Sequence, residues 1–195
     1  MKKIVSIVLA VSMLAVCVTG CKTTTRKQLK PVVLNEVAHS IFYAPQYAAI
    51  ELGYFEDEGL DLTLVNGAGA DKVMTALISG DADIGFMGSE ASIYVYQQGS
   101  DDYAVNFAQL TQRAGNFLVG REAQDNFTWA DLKGKKVLGG RAGGMPEMVF
   151  EYILKKNGID PAADLTIDQS INFGLTAAAF TSNDADYTVE FEPFA

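Results

Sequence analysis

Apolar and polar positions begin to follow regular periods at Pro31. Val32, Val33 and Leu34 make a short run suited to a buried strand. Pro45, fitted to a first helical turn, opens a helix with Tyr47, Ile50 and Tyr54 on one face, and Gly53 ends it. Leu60, Leu62 and Leu64 alternate with polar residues as a strand; Val73, Met74, Leu77 and Ile78 then recur at helical spacing up to Gly80. Ala82 to Met87 reads as a strand, Ser89 to Gln98 as a helix stopped by Gly99, and Tyr103 to Leu110 as a further strand. The order βαβαβαβ predicts a parallel sheet covered by helices on both faces.

A second series starts near Asn116. It predicts a strand at Phe117 to Gly120, a short helix at Thr128 to Leu132 and a strand at Lys136 to Leu138. The glycine-rich stretch Gly139 to Gly144 leads to Pro146 and a helix carrying Val149, Phe150, Ile153 and Leu154 inward, with Lys155 and Lys156 suited to its C-terminal dipole and Gly158 closing it. A strand around Leu165 and Ile167, a helix at Leu175 to Phe180 and a strand at Tyr187 to Phe191 complete the series. The expected architecture is α/β, with two lobes of mainly parallel sheet at residues 31–113 and 114–195, joined near Thr111 to Ala114.

Ahead of this body, Lys2 and Lys3 precede the apolar run Ile4 to Val18. That run is short for a bilayer span but fits the apolar region of a secretory signal. The Val18-Thr19-Gly20-Cys21 sequence that follows resembles the bacterial lipobox. This implies a signal peptide at residues 1–20 and lipidation of Cys21. Residues 21–30 read as a tether whose cations suit anionic headgroups, with the protein held outside the cytoplasm by its lipid anchor. Cys17 leaves with the peptide, so no free thiol is left for redox or nucleophilic work.

Composition narrows the function further. With 49% hydrophobic and 20% charged residues the chain is not of a disordered, collagen-like or coiled-coil type. All acidic residues lie at or after Glu36, so nine cations against twenty-four acids give residues 31–195 a net charge of −15. So acidic a body, without a basic stripe, repels nucleic acid. One histidine and two cysteines cannot furnish a multi-ligand His/Cys metal site, and no cofactor is expected. No G-x-S-x-G occurs, and His39 cannot serve as both base and orienter, which argues against a hydrolase.

The run His39 to Phe55 (HSIFYAPQYAAIELGYF) followed by Glu58-Gly59-Leu60-Asp61 is similar to the first strand-helix-strand of bacterial solute-binding proteins of ABC importers, in the nitrate, sulfonate, taurine and thiamine-pyrimidine-precursor group. Gly80 to Gly88 resembles that group's next strand, Lys133 to Val137 the start of its second lobe, and Glu192-Pro193-Phe194 its acidic-proline-aromatic corner. The resemblance implies a periplasmic-binding-protein-like fold whose two lobes close on a small solute and pass it to permease subunits. Strand C-termini and helix N-termini should then line the cleft. The candidate ligand contacts are His39, Tyr43, Gln46, Gly67, Ser89 and Glu90 from the first lobe and Arg113 near the hinge. The second lobe offers Arg141, Gly143, Gly144 and Met145, with Glu192 beyond the last strand.

Several of these also have structural roles open to them: His39 as a partner of a backbone carbonyl, Ser89 as a helix cap, Glu90 as a dipole partner, Gly143 and Gly144 as a turn. A sulfonate or nitrate would need Arg141, Arg113 and helix N-termini. A pyrimidine-type heteroaromatic would stack on Tyr43 or Phe42 and give its ring N–H groups to Glu90 or Glu192, and the acidic body leans that way. Two other classes compete: a pyrimidine-synthesis enzyme of the same fold, whose cysteine-rich signature is absent here, and an extracytoplasmic sensor lobe. Two lobes of roughly 100 to 150 residues each would exceed the length available. The chain is therefore expected to be a C-terminal truncation with an incomplete second lobe, exposed strand edges and weakened solute binding.

Overall fold

A computed structural model of the chain describes residues 28–113, 115–172, 174–182, 184–192 and 194–195. The expected signal peptide and Cys21 lie outside the described residues, as do Ala114 in the expected hinge and Pro193 in the C-terminal corner.

The first sheet consists of β1 (Lys30–Glu36), β2 (Leu60–Asn66) and β3 (Ile84–Phe86) in the order β2-β1-β3, all parallel. Its register places Leu34 beside Leu64 on one side and Ile84 on the other. Parallel neighbours require crossovers, which helices supply. A 3-10 turn (Ile41–Tyr43), α1 (Ala44–Glu51) and α2 (Tyr54–Asp57) link β1 to β2, and α3 (Ala70–Ser79) links β2 to β3. Gly53, at φ 74°, divides α1 from α2, a left-handed conformation that glycine adopts without steric cost. After β3 comes α4 (Glu90–Gln97).

The second sheet has the order β4-β7-β5-β6, from β4 (Asn116–Gly120), β5 (Lys136–Leu138), β6 (Thr166–Asp168) and β7 (Tyr187–Phe191). The pairs β5-β6 and β5-β7 are parallel, whereas β4 runs antiparallel to β7. The helices here are α5 (Met145–Lys156) and α6 (Thr176–Ser182). A 3-10 turn at Trp129–Leu132 begins in a capping box, in which Thr128 and Asp131 each satisfy the other's backbone N–H. Against the sheet, Leu132, Val137, Phe150, Leu154, Ile159, Leu165, Tyr187 and Val189 form the main core.

One expected strand is missing. Tyr103 to Leu110 has no regular structure, and Val105 and Phe107 are 75% and 77% exposed. Alternation makes a strand only when a neighbour takes up its backbone hydrogen bonds. β3 lies at the sheet edge and the described residues place no strand beside it.

Candidate functional site

The C-terminal ends of β1 and β3 gather carboxylates rather than cations. Glu36 ends β1 and is fully buried. Three donors from the following segment converge on it: His39 Nδ1 at 2.9 Å, the Gln46 amide at 3.0 Å and the Tyr47 hydroxyl at 2.9 Å. Local sequence explains the convergence. Ser40 Oγ accepts the Phe42 N–H and caps the 3-10 turn, and Pro45 then starts α1 so that Gln46 and Tyr47 fall over the strand end. His39 stacks on Tyr47 at 4.4 Å, with its side chain 67% exposed. Its partner is thus the Glu36 carboxylate, and not the backbone carbonyl that was one of the roles open to it. Burial and the Glu36 carboxylate push the Tyr47 phenol up to about 12.

Tyr43 packs edge-on against Phe86 at 4.5 Å, and its phenol is likewise pushed up to about 12, by burial first and then by Glu36 and Glu90. Tyr43 therefore lies within electrostatic reach of both Glu36 and Glu90. Glu90, in the first turn of α4, is 4% exposed, and both carboxyl oxygens are buried without a hydrogen-bond partner. Burial raises its pKa; its own N–H and that of Met145, at the start of α5, pull the other way without making a hydrogen bond. The carboxyl folds back over Gly88, where any Cβ would collide with both oxygens. The expected Ser89 cap is not made: Ser89 has helical φ and ψ, and its side chain bonds no backbone N–H of the helix.

The opposite bank comes from the glycine loop after β5. Arg141 reaches across to the first unit, where its Nε and Nη2 lie 2.8 and 2.6 Å from the two Asp71 oxygens, and its Nη1 lies 3.0 Å from Asn172 Oδ1. Gly69, at φ 147°, makes the approach possible, since a Cβ there would lie 2.7 Å from Asp71 and 3.1 Å from Arg141 Cδ. The hydrogen bond from Arg141 holds the Asp71 carboxyl below its usual range. Arg141 is thus engaged by a carboxylate, which offsets the charge that a sulfonate or nitrate would need from it.

Gly143 and Gly144 do not present free N–H groups either. The Gly143 N–H points to Glu147 Oε2 at 3.3 Å, and the Gly144 N–H to the Arg141 carbonyl at 3.1 Å. Burial first, then Glu151, pushes the Glu147 carboxyl up to about 7. Beside this loop a groove of 440 Å³ opens between α3 and α4, with Met74, Ile78, Tyr94 and Gly143 among its walls.

Gly67 has a packing role, because a Cβ there would lie 2.6 Å from Asn35 Oδ1 and 2.8 Å from Val73 Cγ2. Arg113 is exposed. Glu192 is exposed too, and it is its carbonyl that accepts the Ser40 hydroxyl, at 3.0 Å. The structure thus brings together Tyr43, Gln46, Glu90 and Met145, with His39 at the rim. It adds Glu36, which was missed in the sequence; a second buried carboxylate, Glu190 on β7, is held apart from these by Thr176 and Thr188, which donate to it at 2.8 and 2.7 Å.

Comparison with known proteins gives this geometry a context. YtlA of Bacillus subtilis (strain 168), named a binding protein, is 50% identical over 176 residues, covering 90% of this chain and 52% of YtlA. The chain thus spans about half the length of this relative. Two solved structures share the fold. The ligand-binding component of an ABC-type import system from Staphylococcus aureus has a TM-score of 0.63 at 19% identity, covering 85% of this chain and 55% of that one. The alkanesulfonate-binding protein SsuA from Xanthomonas axonopodis pv. citri, bound to MOPS, has a TM-score of 0.59 at 18% identity, covering 86% and 56%. The fold is periplasmic-binding-protein-like, with mainly parallel sheets. The family model described as NMT1/THI5 like matches residues 41–193, and the chain belongs to that family.

Proposed function

We propose that the protein is the extracytoplasmic solute-binding component of an ABC importer, capturing a small organic solute between two lobes for delivery to its permease. The observation that carries this reading is the convergence of Tyr43 and Glu90 from the first sheet with the N-terminus of α5 from the second. Buried polar groups meeting at strand and helix ends, in a chain whose relatives are named binding proteins, support capture rather than catalysis. With Arg141 engaged by Asp71, the crevice suits a heteroaromatic of the pyrimidine type better than the sulfonate bound by SsuA. An aromatic ring fits the edge of Tyr43 and Phe86, and ring N–H groups fit carboxylates.

The direct test is a thermal-shift screen of pyrimidines, polyamines, sulfonates and nitrate, because a ligand that binds only the folded state raises its stability as RT ln(1 + [L]/Kd). The proposal expects pyrimidines to raise the melting temperature, and a flat response across all four classes contradicts it. The anchoring part rests on the Val18 to Cys21 sequence. Cys21→Ser should release the protein from membranes or leave it unprocessed, whereas a processed form retained at the membrane refutes the anchor.

A further inference from the structure

Glu90 has a feature that the other buried carboxylates among the described residues lack. The other buried carboxylates hold their hydrogen-bond donors: Glu36 takes three, Glu190 takes two threonine hydroxyls, and Glu147 takes the Gly143 N–H and the Gln169 amide. Glu90 is as deeply buried and takes none with either oxygen. A buried acceptor left unmet costs about 1–3 kcal/mol, more if charged, and native structures rarely keep one without a use. Its position is also built rather than incidental. Gly88 leaves the space in which the carboxyl lies, the Tyr43 phenol faces it from the first unit, and the Met145 N–H faces it from the second. Among the described residues no lysine or arginine is paired with it.

We infer that Glu90 selects the solute, its carboxyl receiving an N–H donor such as an amidine, ammonium or ring amine, and that it shuts out sulfonate, phosphonate and nitrate. This rests on the reading of the crevice as the solute site. A donor arriving there meets both orphaned oxygens at once, and a bidentate amidine or aminopyrimidine edge matches a carboxylate's two acceptors. An anion would instead oppose the ionised form of Glu90 in a water-poor site. Capture is also linked to protons. Burial keeps the empty carboxyl neutral to higher pH than usual, whereas a bound cation favours the carboxylate, so binding releases a proton and affinity rises with pH.

The test is isothermal titration of the full chain with 4-aminopyrimidine and benzamidine as N–H donors, and methanesulfonate, methylphosphonate and nitrate as anions, from pH 5 to 8. Wild type should bind an N–H donor, more tightly as pH rises. Glu90→Gln, which keeps the shape and removes the charge, should lose at least tenfold in affinity and flatten the pH dependence without lowering the melting temperature. Tyr43→Ala should weaken the same probe, which ties the binding to the crevice. If Tyr43→Ala weakens binding while Glu90→Gln binds as wild type does, the inference falls and the solute site stands. If a probe binds and neither substitution affects it, the site reading itself falls. Wild-type binding of the anions alone, or of none of the probes, overturns the assignment of solute class.

Discussion

Removing Arg141 should loosen the hold of the two sheets on each other. Arg141→Ala deletes two hydrogen bonds to Asp71 and one to Asn172. Exposed ion pairs contribute about 0.2–1 kcal/mol, and hydrogen bonds to charged groups about 1.5–3. The pair lies between these limits: the Arg141 side chain is 27% exposed and that of Asp71 46%, so solvent screening reduces the upper figure. A loss of about 1–2 kcal/mol is expected for Arg141→Ala, with a coupling of about 1 kcal/mol in a double-mutant cycle with Asp71→Ala. Urea titrations at 50 mM and 0.5 M NaCl would measure it, and the coupling should shrink at high salt. Because Asp71 titrates below its usual value when folded, this stability is present above the unfolded pKa near 3.8 and is lost as pH falls through the lower folded value. The bridge also ties the two sides of the proposed crevice together, so its loss should speed solute association. A coupling below about 0.3 kcal/mol together with an unchanged association rate would refute the reasoning.

Three further outcomes follow from the packing. Glu147, raised to about 7, binds its proton more tightly folded than unfolded, so stability should fall as pH rises from about 4.5 towards 7; Glu147→Gln should flatten that slope in thermal melts, and an unchanged slope would exclude Glu147 as its source. Gly67→Ala should cost about 1–3 kcal/mol in urea titrations through its clash with Asn35 and Val73, and wild-type stability would show that these side chains give way freely. Leu154→Ala, at a site with no exposed surface in the core against the second sheet, should cost about 2–5 kcal/mol, whereas a loss under 1 kcal/mol would mean that this core is loosely packed.

Periodicity located nearly every element because most of them carry their own start and stop residues, such as Pro45, Gly53, Gly80 and Pro146. It failed at Tyr103 to Leu110, where alternation is present but no neighbouring strand is, and a sheet is a property of pairs. The antiparallel β4 was equally hidden, since a strand's own sequence does not state its direction. In the crevice, chain position at the strand ends pointed to Tyr43, Gln46 and Glu90, which the structure places near one another. Glu36 stands at the same kind of position, as the last residue of β1, and the rule that selected His39 would have reached it had strand ends been read one turn earlier. Arg141 could not be assigned from sequence, because its partner lies 70 residues away in the other unit and consumes the charge that an anion would have used.

Hydrogen exchange with and without a solute found in the thermal screen tests the central claim most directly, because it maps protection along the chain without presupposing a residue. Capture in the crevice predicts slowed exchange at residues 36–47, 86–92 and 141–148 together, one segment set from each side. Protection confined to one sheet, or appearing only along the groove between α3 and α4, would contradict the account.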